Sequence, residues 1–251
     1  MRSIATVATC VFTGVNGVLF LASPQTPLGD MFPDLKEGTQ EYLVGRVWIE
    51  VIGVGAIMWF LRQCPGSMGY FMASCAHIAM MSKHFFVDGL TPPPPVVAMG
   101  ALTFLLTTYS NFVDEASKAG MGMYMLMCAA TCATFWLVPA LPLADIFPDV
   151  KEGSRAFEVS MFYEKVVGTM MLCLFLGSCP GPIGNAMAAT AMACQMAYDK
   201  EIVGVSPPLP AMVMCGAAFA SNWLAVLMGG GNSDAGGAPA RKSSKSKKRV
   251  D

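Results

Sequence analysis

Ionisable side chains are scarce in this chain of 251 residues, of which only 13% are charged, and those inside or at the ends of the long apolar runs fall in two similar groups. In the first group Glu50 follows Arg46 by four positions, so the two lie on one face of a helix and can pair. The other candidates lie later in the first half of the chain and at corresponding levels of the second half. Together they form a set of ten candidate binding residues: Arg46, Glu50, Lys83, His84, Asp88, Glu164, Lys165, Asp199, Lys200 and Glu201.

These residues stand near the ends of long apolar runs, a position that suggests polar pockets close to one membrane face. An ionisable group at the centre of a membrane helix costs about 2.5–3.5 kcal/mol, so it usually faces protein or water and often marks function. We therefore predict two polar pockets, one in each half. They would suit a small polar molecule, a quinone headgroup, or proton coupling through His84 or Glu164. The alternative is that the charges are ion-paired or snorkelled helix ends.

Other residues with possible chemistry do not form a recognisable site. His77 precedes His84 by seven positions on about the same helical face, but no third histidine exists to complete a ligand set. We expect His77 to be a hydrogen-bonded core residue. The nine cysteines contain no C-x-x-C pair and are interpreted as packing residues. With no nucleophile–base pair or phosphate loop, we predict no catalytic residues, no metal and no cofactor, which favours a non-enzymatic protein.

The elements that position these residues are predicted to be membrane helices. The chain is 54% hydrophobic, and a membrane helix needs about 20 mostly apolar residues. Apolar runs cover 4–22, 43–61, 68–87, 96–113, 120–138, 159–177, 184–203 and 210–228. Proline clusters follow several of these runs and end helices because proline lacks the amide hydrogen. The predicted fold class is all-α, a polytopic membrane protein with eight transmembrane helices.

An ungapped internal repeat divides these eight spans into two halves. A shift of 115 positions aligns 24–38 with 139–153, and ten of the 15 residue pairs are identical. The same shift aligns the Cys-Pro-Gly segments at 64–66 and 179–181. We predict a four-helix membrane repeat over 1–115 and another over 116–228. Because four is an even number of spans, both copies enter from the same side and have parallel topology.

Each half also carries an acidic segment after its first span. In the first half it runs from Phe32 to Gly38, where proline and acidic residues favour a helical turn and glycine favours its exit. Two interpretations are open, a turn packed on the outer rim and a docking site for a partner.

The distribution of basic residues predicts orientation, since cytosolic loops retain Lys and Arg. By this count both termini are cytosolic. Residues 229–251 form a Gly-rich linker and a basic tail suited to anionic lipid headgroups. The final four residues, 248–251, are a variant of a dibasic retrieval signal, so we expect the endoplasmic reticulum or another endomembrane. The net charge of −1 argues against a nucleic-acid partner.

The first half resembles the DoxX-like superfamily of small four-helix membrane proteins. The resemblance lies in a helix over 41–55 bearing glycine and Glu50, the Cys-Pro-Gly turn, and a polar end to the third span before a proline loop. It implies a four-helix unit with a long outer loop after the first helix. The chain departs from that pattern by fusing two units and by placing Lys165 where the first half has Glu50.

The family shares no single activity, and members include a subunit associated with thiosulfate:quinone oxidoreduction and a receptor-assembly chaperone. Two functions are therefore predicted. The first is a non-enzymatic scaffold, chaperone or assembly factor that engages other membrane proteins through its acidic loops or tail. The second is a small-molecule or proton-coupled carrier, or a quinone-interacting redox subunit, that uses the polar pockets.

Overall fold

The computed structural model describes residues 2–179 and 181–230, and these residues form an all-α structure without β-strands. The described helices are α1 (Arg2–Ala22), α2 (Gln25–Met31), α3 (Gln40–Arg62), α4 (Ser67–Phe86), α5 (Pro94–Phe112), α6 (Ala119–Leu137), α7 (Ala140–Ile146), α8 (Arg155–Leu176), α9 (Pro182–Tyr198) and α10 (Leu209–Ala225). Single π-helical turns follow α9 (Asp199–Val203) and α10 (Val226–Gly230). Most of the predicted tail, 231–251, lies outside the described residues.

Five of these helices are long and apolar enough to cross a membrane: Ile4–Ala22, Gln40–Arg62, Ala119–Leu137, Arg155–Leu176 and Leu209–Met228. Their number and their mean hydropathies of 1.3 to 1.9 indicate a membrane protein. The three other long helices, α4, α5 and α9, are 20, 19 and 17 residues long.

The helices recur along the chain at one interval. From α2 to α5 they begin at residues 25, 40, 67 and 94, and from α7 to α10 at 140, 155, 182 and 209, each 115 positions later. The described glycines with positive φ fall at the same interval: Gly38 and Gly153, Gly66 and Gly181, and Gly89 and Gly204.

Two short helices, α2 and α7, were not predicted from the sequence. Each begins after a proline, Pro24 or Pro139, and each buries a leucine completely, Leu28 or Leu143. The helical turn expected from Phe32 is wrong, because that segment forms non-helical turns, the first closed by a bond from the Leu35 amide to the Phe32 carbonyl. The apolar residues just before the acidic segment decide where the helix forms, since they can reach the core.

The eight long helices form a closed ring. Around it the neighbours are α1, α3, α4, α5, α6, α8, α9 and α10, which returns to α1, and α3 also packs against α8 across the middle. Both central helices are buried along most of their length. Trp48 of α3 donates a hydrogen bond to Ser160 of α8 at 2.7 Å, which fixes the two helices in register.

Glycines permit the closest helix crossings. A Cβ on Gly53 of α3 would lie 2.9 Å from Cβ of Phe20 on α1, and one on Gly168 of α8 would lie 2.7 Å from Cδ1 of Trp136 on α6. Small residues at such crossings let membrane helices approach where lipid supplies no hydrophobic drive. The tight crossings hold α3 and α8 in place, and these two helices carry one wall of the candidate site.

Candidate functional site

A network of charged residues joins α3 to the end of α4. Glu50 is 5% exposed and accepts a hydrogen bond from Nε of Arg46 at 3.3 Å. Lys83 of α4 donates to the other carboxylate oxygen of Glu50 and also to Asp88 at 2.8 Å. The network brings together all five candidate residues predicted in the first half, and the predicted pairing of Arg46 with Glu50 is confirmed.

His84 completes the network through Asp88. Its Nδ1 lies 2.8 Å from a carboxylate oxygen of Asp88, which is just beyond α4. Partial burial by itself would raise the pKa of Asp88, but hydrogen bonds from Lys83 and His84, with the charge of Lys83, outweigh it and hold the pKa below its ordinary value. The carboxylate is therefore ionised, and an ionised carboxylate only accepts hydrogen bonds. It follows that Nδ1 of His84 carries the hydrogen.

The same residues are better suited to ion pairing than to metal binding. One potential ligand atom from each of Glu50, His84 and Asp88 lies within 4.8 Å of the others. However, Lys83 already donates to both carboxylates. A divalent cation placed there would meet an ammonium group at close range, and that repulsion opposes binding.

Beside this network lies a cavity of about 300 Å³. Its walls come from α3, α4, α5, α6, α7 and α8 and from the proline loop between α4 and α5. Most wall residues are apolar; examples are Trp48, Met80, Pro93, Met127, Phe135 and Met171. His77 and His84 both line the cavity, two helical turns apart on α4.

Three imidazole nitrogens in this wall have no hydrogen-bond partner among the described residues. They are both ring nitrogens of His77 and Nε2 of His84. His77 is 8% exposed, as expected of a core residue, but the expected hydrogen bond is absent from the described structure. Gly100 of α5 makes room for the ring, since a Cβ there would lie 3.1 Å from Nε2 of His77. Buried polar groups are rarely left unpaired, so these nitrogens need an explanation.

A second cavity occupies the equivalent place in the other half but has only about 70 Å³. The positions 115 residues after His77, Met80 and His84 are Met192, Gln195 and Asp199, and all three line it. Gln195 accepts a hydrogen bond from Thr169 and donates one to Asp199, both at 2.7 Å. Thr169, Gln195 and Asp199 are therefore joined by hydrogen bonds, and the buried polar side-chain atom of this wall that has no partner among the described residues is the hydroxyl of Tyr163.

Aromatic side chains form part of the wall of the second cavity. Phe162 and Tyr163 line it, and both pack edge to face with Phe32, at centroid distances of 5.3 and 5.6 Å. In the first cavity Val47 stands at the position that corresponds to Phe162. At this position the first cavity has the smaller wall residue, whereas at the position of Tyr163 it has Trp48.

The five candidate residues predicted in the second half form no hydrogen-bonded or ion-paired network among the described residues, although the charge of Lys165 acts on Asp199. Glu164 is fully buried and accepts a hydrogen bond from Ser160 at 3.1 Å. Asp199 belongs to the Gln195 group, Lys165 is half-buried, and Lys200 and Glu201 are exposed. Among the described residues no hydrogen bond or ion pair links these five to one another. Of these five residues, Asp199 lines the second cavity.

Sequence reasoning missed most of the first cavity. Its apolar walls come from six helices, and His77 was assigned to the core. The available sequence signal for this cavity is the seven-residue spacing of His77 and His84, which places both rings on one face of α4, before the proline loop. Comparison of the chain with family models, with curated proteins and with solved structures gives no match.

Proposed function

We propose that this chain is an eight-span membrane protein of two parallel four-helix repeats, and that its larger cavity binds a small, mostly apolar molecule without altering it chemically. The observation that carries the proposal is the cavity of about 300 Å³ with two buried, partly unpartnered histidines. Binding pockets for small molecules have volumes of about 300–1,000 Å³, mostly apolar walls and a few well-placed polar groups. The carrier alternative predicted from the sequence also involves a bound small molecule, but it placed a small polar molecule or a quinone headgroup in the polar pockets.

The helix positions support eight spans. Helices α4, α5 and α9 lie in the same closed ring as the five strongly apolar helices. The starts of α4 and α5 differ from those of α9 and α10 by the 115 residues that separate the aligned sequence segments. We extend the proposal to cytosolic termini, because the loops and the tail on that side hold most of the Lys and Arg near the spans.

The second half supplies an internal comparison for the binding site. An unpartnered buried donor or acceptor costs about 1–3 kcal/mol, and the first cavity holds three such nitrogens. In the equivalent cavity of the second half Gln195 is hydrogen-bonded to Thr169 and to Asp199, so one such atom, the hydroxyl of Tyr163, remains among the described wall residues. A ligand that partners the histidines would offset the cost in the first half.

A matched pair of valines tests the proposal. Val51 lines the first cavity and Val166 lines the second, 115 positions later, and both are half-buried. The probe is 2-naphthol, and its fluorescence is titrated against purified full-length protein in detergent micelles. Partition of the probe into micelles is the same for every variant and cancels in the comparison.

Val51→Phe is expected to fill part of the larger cavity and abolish saturable probe binding while leaving stability nearly unchanged. Val166→Phe is expected to overpack the smaller cavity, at about 1–3 kcal/mol, and to keep one bound probe per chain. Unchanged binding in Val51→Phe, or equal loss of binding in both variants, would overturn the proposal.

Three further expectations stay predictions because nothing in the described residues tests them. They are the scaffold or assembly-factor function, the DoxX-like resemblance and the endomembrane location. The basic tail, on which the location and the lipid-headgroup contact depend, lies mainly beyond residue 230 and outside the described part of the chain.

A further inference from the structure

We infer that the ligand of the larger cavity is a neutral, mostly apolar alcohol or phenol whose hydroxyl donates a hydrogen bond to Nε2 of His84. The inference rests on the proposed function, because it names the chemical class that the same cavity accepts. It derives from the hydrogen-bond state of His84 and from the charges around it.

Asp88 fixes which nitrogen of His84 carries the hydrogen. The bond of 2.8 Å to the carboxylate requires Nδ1 to be the donor. In a neutral imidazole the other nitrogen is then an acceptor. Nε2 of His84 is buried and without a partner among the described residues, and the ring lines the cavity. The site therefore offers a lone pair, and a ligand must bring a hydrogen-bond donor to it.

The charges of the network balance without a contribution from His84. Two carboxylates, Glu50 and Asp88, are paired with two cations, Arg46 and Lys83. A proton on Nε2 would add an uncompensated positive charge beside an apolar cavity, and burying an unpaired charge is strongly unfavourable. The electrostatic environment thus favours Nε2 as an acceptor.

The same balance selects against a charged ligand. Arg46 and Lys83 are already engaged with carboxylates, so an anion entering the cavity would have no free cation to pair with in the described wall. Asp145, the carboxylate that the described wall contributes, is exposed, so it does not require a ligand cation. A neutral molecule is therefore the best match.

His77 adds a second polar contact deeper in the cavity. Seven residues separate it from His84, which corresponds to about 10 Å along the helix. A neutral His77 offers one donor and one acceptor, and neither nitrogen has a partner among the described residues. A ligand with only carbonyl oxygens, such as an oxidised quinone, could accept from His77 but would leave Nε2 of His84 unpaired. A hydroxyl group supplies the donor that Nε2 of His84 requires and that a carbonyl lacks.

Two probes that differ in one hydrogen-bond donor test the inference. In 2-naphthol the oxygen carries a hydrogen, whereas in 2-methoxynaphthalene it carries a methyl group on the same ring system. Their dissociation constants for the full-length protein are measured in micelles, each corrected for partition measured without protein. The hydroxyl contact is expected to make 2-naphthol bind about tenfold more tightly.

Variants identify the acceptor. The measured ratio is the dissociation constant of 2-methoxynaphthalene divided by that of 2-naphthol. His84→Phe is expected to bring this ratio close to one, whereas His77→Met is expected to keep the wild-type preference for 2-naphthol. Asp88→Asn no longer fixes the hydrogen on Nδ1 and is expected to lower the ratio, which serves as a second test should His84→Phe fail to fold.

The outcomes separate this inference from the proposed function. Saturable and equal binding of both probes to the wild type would overturn the inference and leave the proposed function standing. A preference that persists in His84→Phe, or that disappears in His77→Met, would also overturn it. Absence of saturable binding for both probes would overturn the proposed function itself.

Discussion

Neutralising Glu50 is expected to destabilise the protein more than neutralising an exposed carboxylate. The side chain of Glu50 is 7% exposed and pairs with two cations, Arg46 and Lys83. In Glu50→Gln one acceptor oxygen remains, but Arg46, Lys83 and Asp88 are left with one excess positive charge. A cleanly buried pair loses about 3–5 kcal/mol when one partner is removed, whereas a surface pair is worth about 0–1 kcal/mol.

The exposure of the cations places the expected loss between these limits. The side chains of Arg46 and Lys83 are 49% and 40% exposed, so water can solvate them once the carboxylate is gone. We therefore expect Glu50→Gln to lower the free energy of unfolding by about 2 kcal/mol. The measurement is an equilibrium titration with sodium dodecyl sulfate in mixed micelles, followed by circular dichroism.

Asp34→Asn is the matched control. Asp34 pairs with Arg155 at 3.0 Å, and their side chains are 58% and 44% exposed. Asp34→Asn should lower the free energy of unfolding by less than about 1 kcal/mol, and this difference should disappear at high salt, which screens exposed charges. The electrostatic reasoning would be refuted if Asp34→Asn were the more destabilising change. A double-mutant cycle between Glu50→Gln and Lys83→Met with no coupling energy would refute it equally.

Further expected outcomes concern packing, acid stability and topology. Gly53→Ala is expected to destabilise the protein by about 1–3 kcal/mol because its Cβ would lie 2.9 Å from Cβ of Phe20. Gly216→Ala, with open space around it, should stabilise the protein by about 0.4–1 kcal/mol, and denaturation midpoints measure both changes. The pKa of Asp88 is lowered in the folded state, so its contribution to stability is present above the unfolded value of about 3.9 and is lost as the pH falls through the folded value. Asp88→Asn should therefore flatten the acid limb of a stability–pH curve below about pH 4, and an unchanged limb would contradict this. In a cysteine-free background, Glu152→Cys should react with an impermeant maleimide from the non-cytosolic side and Glu115→Cys only after permeabilisation; labelling of both from one side would exclude the proposed topology.

Local patterns predicted some of these contacts and missed those that depend on packing between helices. The pairing of Arg46 with Glu50 follows from their four-residue spacing on one helix. The contact of Lys83 with Glu50 depends on how α3 packs against α4, which no short-range pattern specifies. The expected hydrogen bond of His77 was wrong for a related reason. Its ring faces Gly100 on α5 and a cavity, and a cavity arises only when several helices are assembled.

The two cavities together show that the fold does not require the unpartnered histidines. At the same place in the other half, Met192 and Asp199 occupy the positions of His77 and His84, and Asp199 accepts a hydrogen bond from Gln195. The helices around that place begin at corresponding positions, so the same backbone arrangement is compatible with a smaller cavity that has no histidine in its described wall. The open volume and free nitrogens of the first half are therefore properties of its side chains and not of the helix packing. An unsatisfied interior lowers stability, and binding sites are where proteins most often accept that loss.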